Sequence, residues 1–369
     1  MKTLLIGIGA AGNKAVLEAT ELGVVDLEDA IIINSTSKDF PEEFEGKKIV
    51  LSPKDAGCGK ERSVAKDFAM TCIQAGKLNA IDVAKYTTVI IATSVEGGTG
   101  SGSTPIIAKY FNQVQRKNVH IVAFTGFEDD VRGLRNTIEF FQEVDSNLIV
   151  HAISNAAFLR LAGNNKFKAE IMANKEMCRR IEVLTGQRFV NSKQNIDDTD
   201  ILKVSNTSGY MTVEYSEIEK PLIDQEDFNR YIKRMIYNSK SLKSENPGAK
   251  RIGIVLNIAP ESEDAIDYTY KSIIEAYGKP YELFTQSQWD EEKEYVAFIV
   301  SGMMMPLDRI KEVYNRYEEQ TQMVNNTADD FYKELNAMKL SEDDSKFDMI
   351  KPVESGTSVE DFMKQFETK

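Results

Sequence analysis

Short, nearly continuous runs of β-branched and aliphatic residues recur through the first half of the chain, at 3–8, 30–33, 48–51, 87–93, 119–124 and 147–153. Runs of that kind mark strands covered on both faces. Between them, residues 13–22, 61–75, 103–115 and 132–143 carry apolar positions at helical spacing. Strand alternating with helix predicts parallel βαβ units, and so an α/β fold with a doubly wound, Rossmann-type nucleotide-binding sheet.

Residues 166–184 continue as one long helix, with Phe167, Ile171, Asn174, Cys178 and Ile181 on one face, most of it core. A polar, acidic stretch through Asp200 follows. Strand-like runs at 210–215, 251–258, 281–285 and 295–301, with helices at 225–237 and 262–277, then predict a mixed α/β domain over 205–306. Residues 307–340 read as a charged helix lying along the outside of that second domain, and 341–369 as a flexible acidic tail whose 359–366 segment is amphipathic. The expected division is a nucleotide-binding domain at 1–165, a central helix and its following loop at 166–204, a second domain at 205–306, a C-terminal helix at 307–340 and the tail.

Composition narrows the function classes. The chain has 369 residues, 42% hydrophobic and 28% charged, which is ordinary globular usage and excludes wholly disordered and collagenous classes. A formal charge of −13 argues against direct nucleic-acid binding, which needs clustered Lys and Arg. No stretch approaches the roughly 18 apolar residues of a membrane span, and the N-terminus runs straight into a strand, so a soluble cytoplasmic protein is expected. Cys58, Cys72 and Cys178 form no Cys-x-x-Cys pair, and His120 and His151 both sit in apolar runs. No resident metal site is expected from them, and both histidines read as structural.

Two glycine-rich segments carry the chemistry. Gly7-Ile8-Gly9-Ala10-Ala11-Gly12 follows the first strand and opens a helix, where exposed amides attract phosphate. Dehydrogenases, methyltransferases and structural turns share that pattern. The second strand ends Ile33-Asn34-Ser35-Thr36 without the acidic residue of the dinucleotide fingerprint, which lowers a nicotinamide reading. Gly46-Lys47-Lys48, Gly59-Lys60-Glu61 and Gly76-Lys77-Leu78 lack the Ser or Thr that a Walker loop places after its lysine. The more specific segment is Thr93-Ser94-Val95-Glu96-Gly97-Gly98-Thr99-Gly100-Ser101-Gly102-Ser103, a run of glycines and hydroxyls between a buried strand and a helix expected from Ser103. It reads as a nest of backbone donors for a polyphosphate, because a structural glycine loop would not need so many hydroxyls.

Glu96 to Gly102 resembles the Gly-Gly-Gly-Thr-Gly-Ser-Gly signature of the tubulin and FtsZ GTPases, with Glu96 in place of its first glycine. The resemblance extends over the first two hundred positions. Gly9, Ala10, Ala11, Gly12 and Asn13 look like the family's first phosphate and base loop, and Asn34 opens a stretch like the loop after its second strand. Gly57-Cys58-Gly59-Lys60-Glu61-Arg62 resembles the γ-phosphate-sensing loop in its plasmid and phage TubZ form, with Lys60 or Arg62 as its cation or as solvated surface charge. Glu128 and Arg132 match a Glu-x-x-x-Arg that lies by the ribose in this family, a spacing that an ordinary i,i+4 helix ion pair shares. Asn155 and Asn174 match asparagines that read guanine, whose donor and acceptor edges an amide can satisfy. Asn195-Ile196-Asp197-Asp198-Thr199-Asp200 fits the catalytic loop that one subunit inserts into the nucleotide pocket of the next, with Asp197 and Asp200 polarising water and Asn195 orienting it. A solvated turn and helix cap would look alike.

The resemblance therefore implies binding of GTP and GDP with Mg2+, polymerisation-activated hydrolysis, and a cytomotive filament of the chain with itself, head to tail. The TubZ form implies plasmid or phage DNA segregation, through a DNA-binding adaptor gripping the C-terminal tail. A PhuZ-like phage spindle, an FtsZ-like division protein, a noncatalytic tubulin-like scaffold and a Rossmann oxidoreductase are the alternatives.

Overall fold

The computed structural model describes residues 2–186, 198–244, 247–290 and 292–337. In chain order the first elements are β1 (Thr3–Ile8), α1 (Gly9–Glu21), β2 (Ala30–Asn34), β3 (Lys47–Val50), α2 (Arg62–Gln74), β4 (Thr88–Ser94) and α3 (Gly98–Lys109). Next come β5 (Asn118–Thr125), α4 (Val131–Glu143), β6 (Ile149–Ser154), the short α5 (Ala156–Leu159), α6 (Lys166–Thr185) and α7 (Asp198–Ser205). The last are β7 (Gly209–Glu217), α8 (Gln225–Tyr237), β8 (Arg251–Asn257), α9 (Lys271–Tyr277), β9 (Glu282–Gln288), β10 (Tyr295–Met303) and α10 (Leu307–Ala337). The chain through Glu318 forms one compact unit, and α10 continues into a second from Glu319.

One ten-stranded sheet runs through the first unit in the order β3-β2-β1-β4-β5-β6-β7-β10-β8-β9. Strands β3 to β6 are all parallel, as their uninterrupted apolar character predicts. The join to the second half is short, with only Ile149 opposite Gly209 and Val150 opposite Tyr210. Strand β10 then lies antiparallel between β7 and β8. One face of the parallel part buries Ala15, Val16 and Ala19 of α1 with Ala169, Ala173 and Met177 of α6, and the other buries Ala69 and Cys72 of α2 with Ile107 of α3 and Phe140 of α4. Because the order reverses between β1 and β4, the carboxyl ends of β1, β2 and β4 frame a crevice, the place where such sheets take ligands.

Four expectations change. The helix expected over 262–277 is broken: a 3₁₀ turn spans Pro260–Ala265, Tyr270 is left-handed at φ 51°, and only Lys271–Tyr277 is α-helical. Asp267 takes the Thr269 amide at 3.0 Å and the Asn229 side chain at 2.7 Å, a local pairing that competes with the helix ladder. Phe167, expected on the core stripe, is 63% exposed in the first turn of α6, while Asn174, Cys178 and Ile181 of that stripe are buried beside Ala169 and Ala173. Helix α3 begins at Gly98, five residues before the expected Ser103. Finally, the first turns of α10, expected along the second domain, dock on α4 of the first half, with Val313 and Tyr317 against Leu134 and Ile138.

His120 and His151 lie on neighbouring strands, fully buried, with Nδ1 of one 2.9 Å from Nε2 of the other. Burial pulls His120 down to about 4 and His151 well below the usual range, so both are neutral when folded. The unfolded chain binds their protons below about 6.5, so their stabilisation is complete above that pH and falls on acidification, by up to about 1.4 kcal/mol per pH unit per histidine. Urea melts at about pH 7 and about pH 5.5 are expected to show a larger loss for the wild type than for His120→Gln/His151→Gln. Equal losses would contradict the neutral buried pair.

Candidate functional site

The crevice is an open cleft with about 320 Å³ of water-accessible volume, lined by Ile8 to Ala11, Asn34, Ser35, Asp39, Gly57 to Lys60, Ser94 and Gly97 to Gly100. Two helix starts build it. Strand β1 passes directly into α1 at Gly9, whose φ of +77° favours glycine. A Cβ on Gly12 would lie 2.1 Å from the Ala92 carbonyl oxygen, so α1 can press onto β4 only with glycine there. Asn13 is fully buried, and in the orientation that satisfies it the amide nitrogen donates to the carbonyls of Gly7, Gly9 and Ile33 at 2.9, 3.3 and 3.2 Å. It pins the β1–α1 turn to β2 and does not line the cleft.

After β4 the loop is only Val95 to Gly97, closed by the Val95 amide donating to Phe124 O at 3.1 Å. The glycine signature is thus largely the first turns of α3. Glycine disfavours helix, which is why the sequence pattern misleads here; tertiary packing overrides it. A Cβ on Gly100 would stand 2.4 Å from Thr93 Oγ1, and one on Gly98 would stand 2.6 Å from Lys60 Cα. The amides at the α3 start consequently face the cleft, a ready anion site.

The hydroxyls divide. Thr99 Oγ1 lies 2.9 Å from Ser35 Oγ and 3.2 Å from Cys58 Sγ, a polar chain on the cleft floor. Ser101 and Ser103 instead donate back to the carbonyls of Gly97 and Thr99 within the helix, and both are buried. Their presence is structural, contrary to the reading that so many hydroxyls imply ligand. Gly102 likewise serves packing, since a Cβ there would meet Arg62 O at 2.6 Å.

Of the two candidate cations, Lys60 is at the rim. Its backbone is left-handed at φ 63°, its side chain is 55% exposed, and Nζ lies 2.7 Å from Asp130, whose carboxyl that bond holds below the usual range. Arg62 is not available: it is 3% exposed, paired with Glu139 at 2.9 Å and Glu143 at 2.7 Å, and donates to Ser101 O at 3.0 Å. Glu128 and Arg132 do not pair with each other. Glu128 binds Arg309 and Arg316 of α10, and Arg132 binds Glu61. Glu96 turns away from the cleft and accepts the Glu128 amide at 3.0 Å; burial pushes its carboxyl up, with the charges of Glu128, Asp129 and Asp130 adding to the rise.

Asn34 and Asn155 are both buried and incompletely satisfied, Asn34 at Nδ2 and Asn155 at Oδ1. Asn34 lines the cleft; Asn155 follows β6 and donates its backbone N–H to Thr125 O at 3.0 Å. Asn174 lies buried on α6, the helix that packs on α1. Neither Asn155 nor Asn174 lines the cleft. Asn195 and Asp197 lie outside the described residues. Asp200 is described: it sits on α7, 3.5 Å from Lys203, and α7 packs on β8 and β10 through Ile201 and Val204. Three strands separate β10 from β4 in the sheet order, which at about 4.8 Å per strand spacing is about 19 Å. One chain therefore does not bring Asp200 to its own cleft.

Ser35, Ser94 and Asp39 also line the cleft, although sequence alone singles out none of them as a site residue. Asp39 follows the second strand by a 3₁₀ turn, Ser37–Asp39, that carries it back to the opening. The signal was an acidic residue displaced five positions beyond Asn34.

No family model matches the chain. In sequence it is similar to the tubulin-like protein CetZ1 of Haloferax volcanii, 26% identical over 243 residues, or 58% of this chain and 59% of that one. It is also similar to the tubulin-like protein TubZ of Clostridium botulinum C phage, 26% identical over 233 residues, or 61% of each. The chain thus matches 59–61% of the length of these curated relatives. Its fold is that of a GTPγS-form protofilament of Bacillus thuringiensis serovar israelensis TubZ, with a TM-score of 0.70 at 17% identity, covering 89% of this chain and 94% of that one. The chain is a homologue of the tubulin/FtsZ superfamily and has its α/β fold.

Gly12→Ala is expected to cost about 3 kcal/mol of stability by forcing α1 off β4, read from urea melts. A loss under about 0.5 kcal/mol would show that the approach of α1 is not tight.

Proposed function

We propose that the chain is a GTP-dependent, self-assembling filament protein that hydrolyses GTP at the contact between subunits. The observation that carries this reading is the separation of the two halves of the site: a phosphate-type cleft at the β1–β4 switch, and Asp200 on a helix packed against β8 and β10. A second chain, head to tail, supplies what the first lacks. Such a heterologous contact propagates into a filament.

The cleft suits a nucleoside triphosphate. Amides at the starts of α1 and α3 take the phosphates, Lys60 lies at the rim to swing from Asp130 onto the terminal one, and the unmet Asn34 Nδ2 donates to the ligand. Magnesium, when bound with the nucleotide, neutralises phosphate charge; Asp39 and the Ser35 and Thr99 hydroxyls are the oxygen donors on the cleft wall. That sparse set fits an ion held mostly by phosphate and water, and among the described residues no cluster of three or more metal-ligating side chains occurs. Guanine reading by Asn174 and Asn155 rests on the resemblance, since neither lines the cleft; Asp197, Asp200 and Asn195 of the neighbouring subunit position the attacking water.

The domain division at 165 and 205, the cytoplasmic setting and a role in plasmid or phage DNA segregation belong to the same reading. Similarity to a phage TubZ supports the last. A net charge of −13 assigns DNA contact to a basic adaptor that grips the tail.

Asp200→Ala is expected to bind GTP as the wild type does while phosphate release falls about a hundredfold or more. Unchanged release from this variant would remove the assignment.

A further inference from the structure

Glu128 is a left-handed, non-glycine residue at φ 59°, with its side chain 10% exposed, on the turn between β5 and α4. Such a conformation persists only where its surroundings over-determine it. Three partners do so. Its carboxylate receives both Arg309 and Arg316, about two helical turns apart on α10, and its backbone amide donates to Glu96 Oε1 at 3.0 Å. Glu96 is the residue before Gly97 at the α3 start, and it fills space that a Cβ on Gly126 would enter at 1.9 Å from Oε2. On the other side Asn136 donates to Glu96 O at 2.9 Å and to Lys60 O at 3.2 Å, joining the two phosphate-facing turns. Val313 and Tyr317 seat the same stretch of α10 on Leu134 and Ile138 of α4, the helix that carries Asn136.

We propose that Arg309 and Arg316 are positioning residues for the nucleotide cleft: through Glu128 and Glu96, the seating of α10 sets the geometry of the 95–98 turn that holds the phosphates. Neither arginine lines the cleft, so both act through another residue. Release of α10 frees Glu128 from its left-handed turn, removes the support of Glu96 and loosens the amides at the α3 start. Binding at the cleft and docking of α10 are then coupled in both directions. This inference rests on the nucleotide reading above, and it adds a link from the C-terminal helix to that site.

The test compares the full-length wild type with Arg309→Ala/Arg316→Ala, Arg309→Lys/Arg316→Lys and Glu128→Gln, each below any assembly threshold. Amide hydrogen exchange at residues 95–100 is expected to quicken about tenfold in the alanine pair and in Glu128→Gln, with circular dichroism unchanged and the lysine pair returning most of the protection. Affinity for a fluorescent GTP analogue is expected to fall about fivefold or more in the alanine pair. Exchange within twofold of the wild type at 95–100 in the folded alanine pair would overturn the relay. Should the alanine pair fail to fold, Glu128→Gln carries the same comparison. A wild type that binds no guanine nucleotide would sink the nucleotide reading alone, and the exchange comparison would still decide the relay.

Discussion

Everything functional in this molecule depends on how closely two helix starts are driven onto the carboxyl ends of β1 and β4. A single added methyl group at Gly12 or Gly100 would meet backbone or hydroxyl oxygen at 2.1 or 2.4 Å. That closeness brings unpaired amides to one opening, where an anion finds donors already oriented and pays little to organise them. Asn13 and Thr93 secure the approach from inside, Asn13 by tying α1 to β2 and Thr93 by donating to Ile8 O at 3.3 Å.

Around this opening the charges are paired in a pattern that makes the cleft part of a larger body. Arg62 binds α3 and α4 together, Lys60 meets the Asp130 that caps α4, and Glu128 reaches α10. The pairs of Arg62 and Glu128, each buried on one side, are costly to break because they would leave a buried charge, whereas the exposed Lys60–Asp130 pair contributes little. The same elements that shape the cleft are thus held to the outer helix, while the acidic residue assigned to hydrolysis stands on the far part of the sheet. On the proposed reading, binding and chemistry draw on different parts of the sheet.

Much of the fold was legible because its strands are buried on both faces, so that Thr3–Ile8 or Thr88–Ser94 stand out as apolar runs. What depended on tertiary packing was not. Glycine reads as loop, which sets the α3 start late in sequence, though the packing of Lys60 and Thr93 makes it helix. Arg62 reads as a candidate phosphate cation because the partners that bind it lie 77 and 81 residues away in sequence. Glu128 and Arg132 fit an i,i+4 pair by spacing, yet the left-handed backbone of Glu128 sends its carboxylate to α10. Asp39 is not legible, because the turn that returns it to the cleft leaves no periodic signature. That the cleft glycines, Thr99 and Asn34 gather at one opening is legible, since their type and position after a strand place them there.

The central claim is that a working site needs the cleft of one chain and the acidic loop of another. Mixing two inactive variants tests it most directly: Asp200→Ala, with an intact cleft, and Gly97→Glu, at a cleft-lining position where an added Cβ meets nothing within 4 Å, so that its carboxylate blocks the cleft but leaves the loop. Each alone is expected to release almost no phosphate from GTP, while an equal mixture regains about a quarter of wild-type release, the share of contacts in which an intact cleft meets an intact loop. A mixture no more active than its parts, although both variants co-assemble, would contradict the account.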